Sequence, residues 1–246
     1  MAAQTPLKLG ATRFKQNALS NLVVRVQFAI HFAVSFFGYG LANYRNTPLR
    51  VKLMRTVRRL KRARPTIMTP LDMCQLYAVV EATRKLPGEM AEVGVAYGGS
   101  ARMICEVRPD RTLHLFDTFQ GLPDPGEVDV DFHQGDFTCS EDSVRDYLRD
   151  CDVVLYPGLF PGTAMALAES GTKFSFVHLD VDLYQSTLDA LRFFYGSMVS
   201  GGVIVSHDYV LAAGPRLAFD EFFSDKPEPV IELTGNQCMV VKTGSV

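Results

Sequence analysis

From Pro70 onward, short apolar runs alternate with amphipathic stretches, and this alternation restricts the chain to β-α units wound around a mainly parallel sheet. Strands are predicted near Met90–Val95, Thr112–Phe116, Val153–Tyr156, Phe174–Asp180, Val203–Ser206, Val230–Leu233 and Met239–Lys242. Helices are predicted near Leu71–Leu86, Gly99–Glu106, Glu141–Arg149, Thr163–Glu169, Gln185–Tyr195 and Pro215–Phe223. The last two strands are separated only by Thr234-Gly-Asn-Gln237, too brief for a crossover, so they are expected to pair as an antiparallel hairpin.

With 47% hydrophobic and 21% charged residues the chain can bury a large core, which excludes a disordered or collagen-like chain. Five cysteines, scattered without a C-x-x-C spacing, argue against a disulfide framework and for a reducing compartment.

The net charge of −2 hides a division: all 27 acidic residues lie at or after Asp72, while the preceding segment is rich in Lys and Arg. Residues 1–70 are therefore expected to form a basic helical arm and residues 71–246 the α/β domain. Val26–Tyr44 carries no formal charge, near the ~20 residues that span a bilayer. Gln27, His31 and Ser35 recur every four residues, which fits an amphipathic helix better than a lipid-facing one. Such a helix would pack on the body or on another subunit, with peripheral membrane contact through residues 20–64 as the alternative. The run Arg55–Arg64 suits an anionic lipid surface or a solvated helix face, and no nucleic-acid module accompanies it, so no nucleic-acid partner is expected. The N-terminus lacks the ordered features of a secretory signal, so a cytoplasmic location is expected, membrane-associated if the arm touches lipid.

Where the first strand gives way to a helix, Glu92-Val-Gly-Val-Ala-Tyr-Gly-Gly-Ser100 offers a glycine-rich cradle. Its glycines are spaced G-x-x-x-G-G rather than G-x-G-x-x-G, which counts against a dinucleotide-binding oxidoreductase. Asp117 closes the second strand about twenty residues on, where a carboxylate can accept bonds from ribose hydroxyls. The fourth strand ends in His178-Leu-Asp-Val-Asp182 and the fifth in Ser206-His-Asp208, and in an open α/β sheet these carboxyl ends converge on the ligand crevice. Asp180 and Asp208, joined by His207 or Asp182, could hold magnesium or another divalent ion together with a substrate diol.

Five collinear blocks over about residues 71–242 resemble the macrocin O-methyltransferase (TylF-type) family: Glu92-Val-Gly-Val with Gly98-Gly-Ser-Ala101, Leu115-Phe-Asp-Thr-Phe-Gln-Gly-Leu-Pro123, Gly158-Leu-Phe-Pro-Gly-Thr163, His178-Leu-Asp-Val-Asp-Leu-Tyr-Gln-Ser-Thr187 and Gly201-Gly-Val-Ile-Val-Ser-His-Asp-Tyr209. The resemblance implies a Rossmann-like class I methyltransferase with a seven-stranded sheet. It implies methyl transfer from S-adenosylmethionine to a sugar hydroxyl on a glycosylated natural product or glycan, assisted by a divalent metal. The expected cofactor contacts are Glu92, Gly94, Tyr97, Gly98, Ser100, Asp117, Thr118, Phe119 and Phe160. The expected metal ligands are Asp180 and Asp208, which match the family's aspartates after strands four and five, together with His207. The family usually shows Asp-Asp-Tyr after strand five, whereas this chain has His207-Asp208-Tyr209, which bears directly on the metal site.

Transfer requires a hydroxyl to be aligned with the methyl carbon and to lose its proton, with Asp180 as first choice of base, His207 as second and His178 a distant third. Alternatives are a metal-independent enzyme, a non-catalytic S-adenosylmethionine-binding protein and a catechol-type acceptor. Self-association is expected from the apolar arm.

Overall fold

Seven strands and seven α-helices are seen in the computed structural model, which describes residues 48–244 apart from residue 109. In chain order they are α1 (Pro48–Ala63), α2 (Pro70–Thr83), β1 (Glu89–Val93), α3 (Gly99–Val107), β2 (Leu113–Asp117), α4 (Glu141–Tyr147), β3 (Val153–Pro157), α5 (Met165–Glu169), β4 (Phe174–Leu179), α6 (Tyr184–Tyr195), β5 (Met198–Ser206), α7 (Ala213–Phe222), β6 (Ile231–Glu232) and β7 (Cys238–Val241). The strands form one sheet in the order β3-β2-β1-β4-β5-β7-β6, parallel from β3 to β5 and antiparallel at β7 and β6. The β1/β4 pairing is the switch point where the winding reverses, and ligands of open α/β sheets bind outside the strand ends at such a point.

β1 and β4 are buried along nearly their whole length because helices cover both faces of a parallel sheet. Phe116, Phe174, Phe194, Leu191, Val177 and Phe219 are almost completely buried in the core on one side. β5 begins five residues before its predicted start. Ser200-Gly-Gly202 is carried inside the strand, with a register irregularity opposite Phe174–Phe176 and a left-handed φ of 80° at Gly201.

The described residues belong to one compact unit that starts at Asn46, so α1 is part of the body. Its Leu53, Met54, Val57 and Leu60 are buried, and Arg59 pairs with Glu106 of α3 at 2.8 Å. α2 starts with a capping box in which Thr69 and Asp72 satisfy each other's backbone N–H. Among the described residues no helix is long and apolar enough to cross a membrane. The uncharged stretch Val26–Tyr44 lies outside the described residues.

Candidate active site

All five parallel strands leave the sheet through a residue with positive φ: Ala96 (42°) after β1, Phe119 (56°) after β2, Gly158 (125°) after β3, Asp182 (59°) after β4 and Asp208 (61°) after β5. Four of these are not glycine, and such strained backbone persists only where surrounding contacts enforce it, most often at functional sites. At Asp182 the backbone is pinched into a tight turn, with Leu183 N–H donating to the Val181 carbonyl at 2.6 Å.

The chain leaving β1, β2, β3 and β4 borders a cavity of about 170 Å³, whose wall includes Gly94, Tyr97, Ser100, Asp117, Thr118, Phe160, Asp180 and Asp182 but neither His207 nor Asp208. Gly94 is needed for the architecture: φ is 85°, and a Cβ there would sit 1.8 Å from the Asp180 carbonyl oxygen. Without a glycine the exits of β1 and β4 could not approach each other, and the crevice between them would not form.

Asp117 does more than present a carboxylate. Its Oδ2 accepts the N–H groups of Val95 and Ala96 at 2.7 and 2.8 Å, and its Oδ1 accepts that of Phe119 at 2.7 Å. One side chain therefore fixes both the glycine loop after β1 and the left-handed turn after β2. Three of a carboxylate's roughly four acceptor directions are used, leaving one for a ligand.

Beyond β4 and β5 lies a cluster of Asp180, His207 and Asp208, with one nitrogen or oxygen atom from each within 4.8 Å of the others. His207 Nδ1 is 3.2 Å from Asp180 Oδ1 and 3.0 Å from Asp208 Oδ2, and Nε2 is 3.8 Å from Asp72 Oδ2. Burial acts to lower the imidazole pKa, but Asp180, Asp208 and Asp72 together hold it well above its ordinary value. Burial likewise acts to raise Asp180, and the facing imidazolium overrides it, holding the carboxyl down to about 2. Burial and the charges of Asp208 and Asp180 push Asp182 up to about 9. Adjacent carboxyls with pKa values driven apart are the usual setting for divided acid and base roles.

The outer partner in this cluster comes from the C-terminal hairpin. Asn236 Nδ2 donates to Asp208 Oδ1 at 2.7 Å, and its Oδ1 accepts the Leu211 N–H at 2.8 Å. In the sequence Asn236 reads only as a turn residue, and Asp72 only as the first acidic residue after the basic segment. Pro65–Met68 also line the cavity, held by Lys61 Nζ, which donates to the carbonyls of Thr66 and Met68 at 3.4 and 2.5 Å. Nothing in the composition of that short link announces a ligand contact.

Three residues expected at the cofactor are not on the cavity wall. Glu92 is fully buried, bonded to His178 Nδ1 at 2.8 Å across the β1/β4 pairing, and burial raises its pKa. Gly98 caps α3 with its α-carbon facing Tyr147 and Val144, and Phe119 is 8% exposed. His178 points into the fold, as its strand position predicts. Asp182, a further candidate ligand, lies outside the three-residue cluster but on the wall.

Residues 62–236 match the family model described as macrocin-O-methyltransferase (TylF). A demethyldecarbamoylnovobiocin O-methyltransferase of Streptomyces niveus is 32% identical over 159 residues, 56% of this chain and 58% of that protein. An 8-demethyl-8-(2,3-dimethoxy-alpha-L-rhamnosyl)-tetracenomycin-C 4'-O-methyltransferase of Streptomyces olivaceus is 31% identical over 161 residues, 58% of this chain and 61% of that protein. The chain thus spans about three fifths of the curated relatives it matches. The solved structure of the O-methyltransferase NovP superposes with a TM-score of 0.63 at 27% identity, covering 73% of this chain and 82% of that one. With the strand order, the crevice at the β1/β4 switch point and the match over residues 62–236 in agreement, the chain belongs to the macrocin-O-methyltransferase (TylF) family and has the class I methyltransferase fold.

Proposed function

We propose that this chain is an S-adenosylmethionine-dependent O-methyltransferase whose acceptor is a sugar hydroxyl on a glycosylated small molecule or glycan. The observation that carries the reading is the cavity at the ends of β1, β2 and β4, with Asp117 fixing the glycine loop at one end and Asp180 and Asp182 on its wall. The relative named as a 4'-O-methyltransferase of a rhamnosyl-tetracenomycin supports the acceptor class. So does the rim, where Ile67, Tyr97, Phe137 and Leu159 line the cavity yet stay well exposed, suiting the apolar body of a glycosylated compound.

S-adenosylmethionine supplies a methyl group already activated on a sulfonium. The remaining acceptor direction of Asp117 suits a ribose hydroxyl, and the faces of Tyr97 and Phe160 suit the adenine or the positive sulfur. Gly94, Ser100 and Thr118 complete the wall. Asp180 orients the acceptor hydroxyl and takes its proton, and Asp182, held protonated, donates a hydrogen bond to a neighbouring oxygen.

Two carboxylates and one imidazole with donor atoms within 4.8 Å fit a divalent cation. Asp180, Asp208 and His207 would hold it, and it would acidify the acceptor hydroxyl. The nitrogen donor favours a transition ion such as manganese over magnesium. One observation favours a metal-independent version: His207 Nδ1 lies 3.0 Å from Asp208 Oδ2 and 3.2 Å from Asp180 Oδ1, so a protonated imidazole would hold the two carboxylates together in place of a cation.

Calorimetric titration of S-adenosylmethionine, followed by radiolabelled methyl transfer to glycosylated acceptors with and without a chelator, tests the reading. Micromolar binding and transfer lost in Asp180→Ala are expected. No binding by the folded chain would overturn it, and transfer indifferent to chelator would select the metal-independent form.

A further inference from the structure

α1 carries two opposed faces. At 3.6 residues per turn, Leu53, Met54, Val57 and Leu60 share one face and are buried against the body. Lys52, Arg55, Arg58 and Arg62 fall within an arc of about 120° on the opposite face, all exposed. Arg59 pairs with Glu106, and Lys61 turns inward to the carbonyls of Thr66 and Met68. The four outward cations have no carboxylate partner among the described residues. Their like charges at i,i+3 and i,i+4 spacing work against the helix itself. A solvated helix face is normally of mixed sign; this one is of a single sign over about 15 Å, at 1.5 Å per residue.

We propose that the outer face of α1 docks on an anionic lipid surface. Clustered Lys and Arg are attracted to the negative potential of such a surface. Charge complementarity is reinforced by sequence order: the uncharged Val26–Tyr44 precedes the helix within a segment that contains no acidic residue before Asp72. At the other end α1 runs into Pro65–Met68, where Ile67 is 69% exposed while also lining the cavity. The docked helix therefore brings the Pro65–Met68 link, part of the cavity wall, close to that surface. The inference concerns a surface outside the proposed catalytic machinery and does not depend on it.

The test is flotation of the full chain with vesicles of phosphatidylcholine alone and of phosphatidylcholine with phosphatidylglycerol, at low and high salt, with a mixed-sequence duplex DNA as a competing polyanion. Binding only to the anionic vesicles, weakened by salt, is expected. Each cation near the surface is worth about fivefold in partition, so the triple variant Arg55→Gln, Arg58→Gln, Arg62→Gln should bind about 100-fold more weakly. The matching Arg→Lys triple variant should bind like the parent, and circular dichroism with thermal melting verifies that both variants are folded. The proposal is overturned if the parent ignores anionic vesicles, if the Gln variant binds equally, or if duplex DNA strips the chain from vesicles. If the parent proves to be an oligomer by analytical ultracentrifugation and the Gln variant dissociates while keeping its lipid binding, the proposal is likewise overturned and the face belongs to self-association.

Discussion

Replacing Asp117 by Asn separates two roles that the sequence alone merges. The carboxylate accepts three backbone N–H bonds, and bonds to a charged group are worth about 1.5–3 kcal/mol each, against about 0.5–1.5 for neutral ones. An amide oxygen turned toward Val95 and Ala96 keeps two bonds in weakened form and faces its NH₂ against the Phe119 N–H. Two bonds downgraded by about 1 kcal/mol each, plus one donor left without an acceptor at about 1–3 kcal/mol, give about 3–5 kcal/mol. Because the side chain is only half-buried, the lower end applies. For a domain of this size 1 kcal/mol shifts Tm by about 2–4 °C, so a fall of about 6–12 °C is expected in the ligand-free protein. Differential scanning calorimetry without cofactor reads this directly, and titration calorimetry on the same samples reads cofactor affinity. A variant with unchanged Tm and lost affinity would refute the reasoning: the carboxylate would then serve the ligand and not the loops.

Gly94→Ala should prevent a stable fold, since its Cβ falls 1.8 Å from the Asp180 carbonyl; a soluble variant melting within a few degrees of the parent would show that β1 and β4 can separate. Glu92→Ala removes the buried partner of His178 and should cost about 1–3 kcal/mol in urea unfolding, while the folded fraction binds S-adenosylmethionine within about threefold of the parent, because Glu92 is not on the cavity wall. Burial acts to raise Glu228, but Lys242 and Tyr195 hold it down to about 2. A carboxyl depressed on folding contributes stability above its unfolded pKa that is lost as pH falls toward the folded one, so Glu228→Gln should flatten the stability profile between about pH 4.5 and 2. Identical acid profiles for parent and variant would rule out that contribution.

The sheet was largely legible because parallel strands buried on both faces leave apolar runs that no other arrangement explains as well. Asp117, Asp180 and Asp208 were legible because strand ends locate them, and topology then brings strand ends together. What escaped are contacts made across long separations by residues with an adequate local explanation. Asp72 is satisfied as a helix cap and Asn236 as a turn former, yet each also reaches the His207-Asp208 pair. Glu92 misled in the opposite sense: its place in the glycine motif suggests a ligand contact, while the strand periodicity that turns it toward His178 is visible only once β1 and β4 are paired. β5 begins ahead of the apolar run Val203–Val205 because Gly201 and Gly202 have little strand preference of their own, and only pairing with β4 draws Met198–Gly202 into the sheet.

The left-handed exits at Ala96, Phe119, Asp182 and Asp208 bear on how this protein can be engineered. A search for thermostable variants will favour glycine or asparagine at these positions, because either relaxes the backbone at once. At Asp182 and Asp208 that gain would remove the carboxylates themselves, so stability and the chemistry proposed for the site compete for the same two codons. Ala96 and Phe119 carry no such chemistry, and are the two exits at which a more robust scaffold can be sought with the carboxylates left in place.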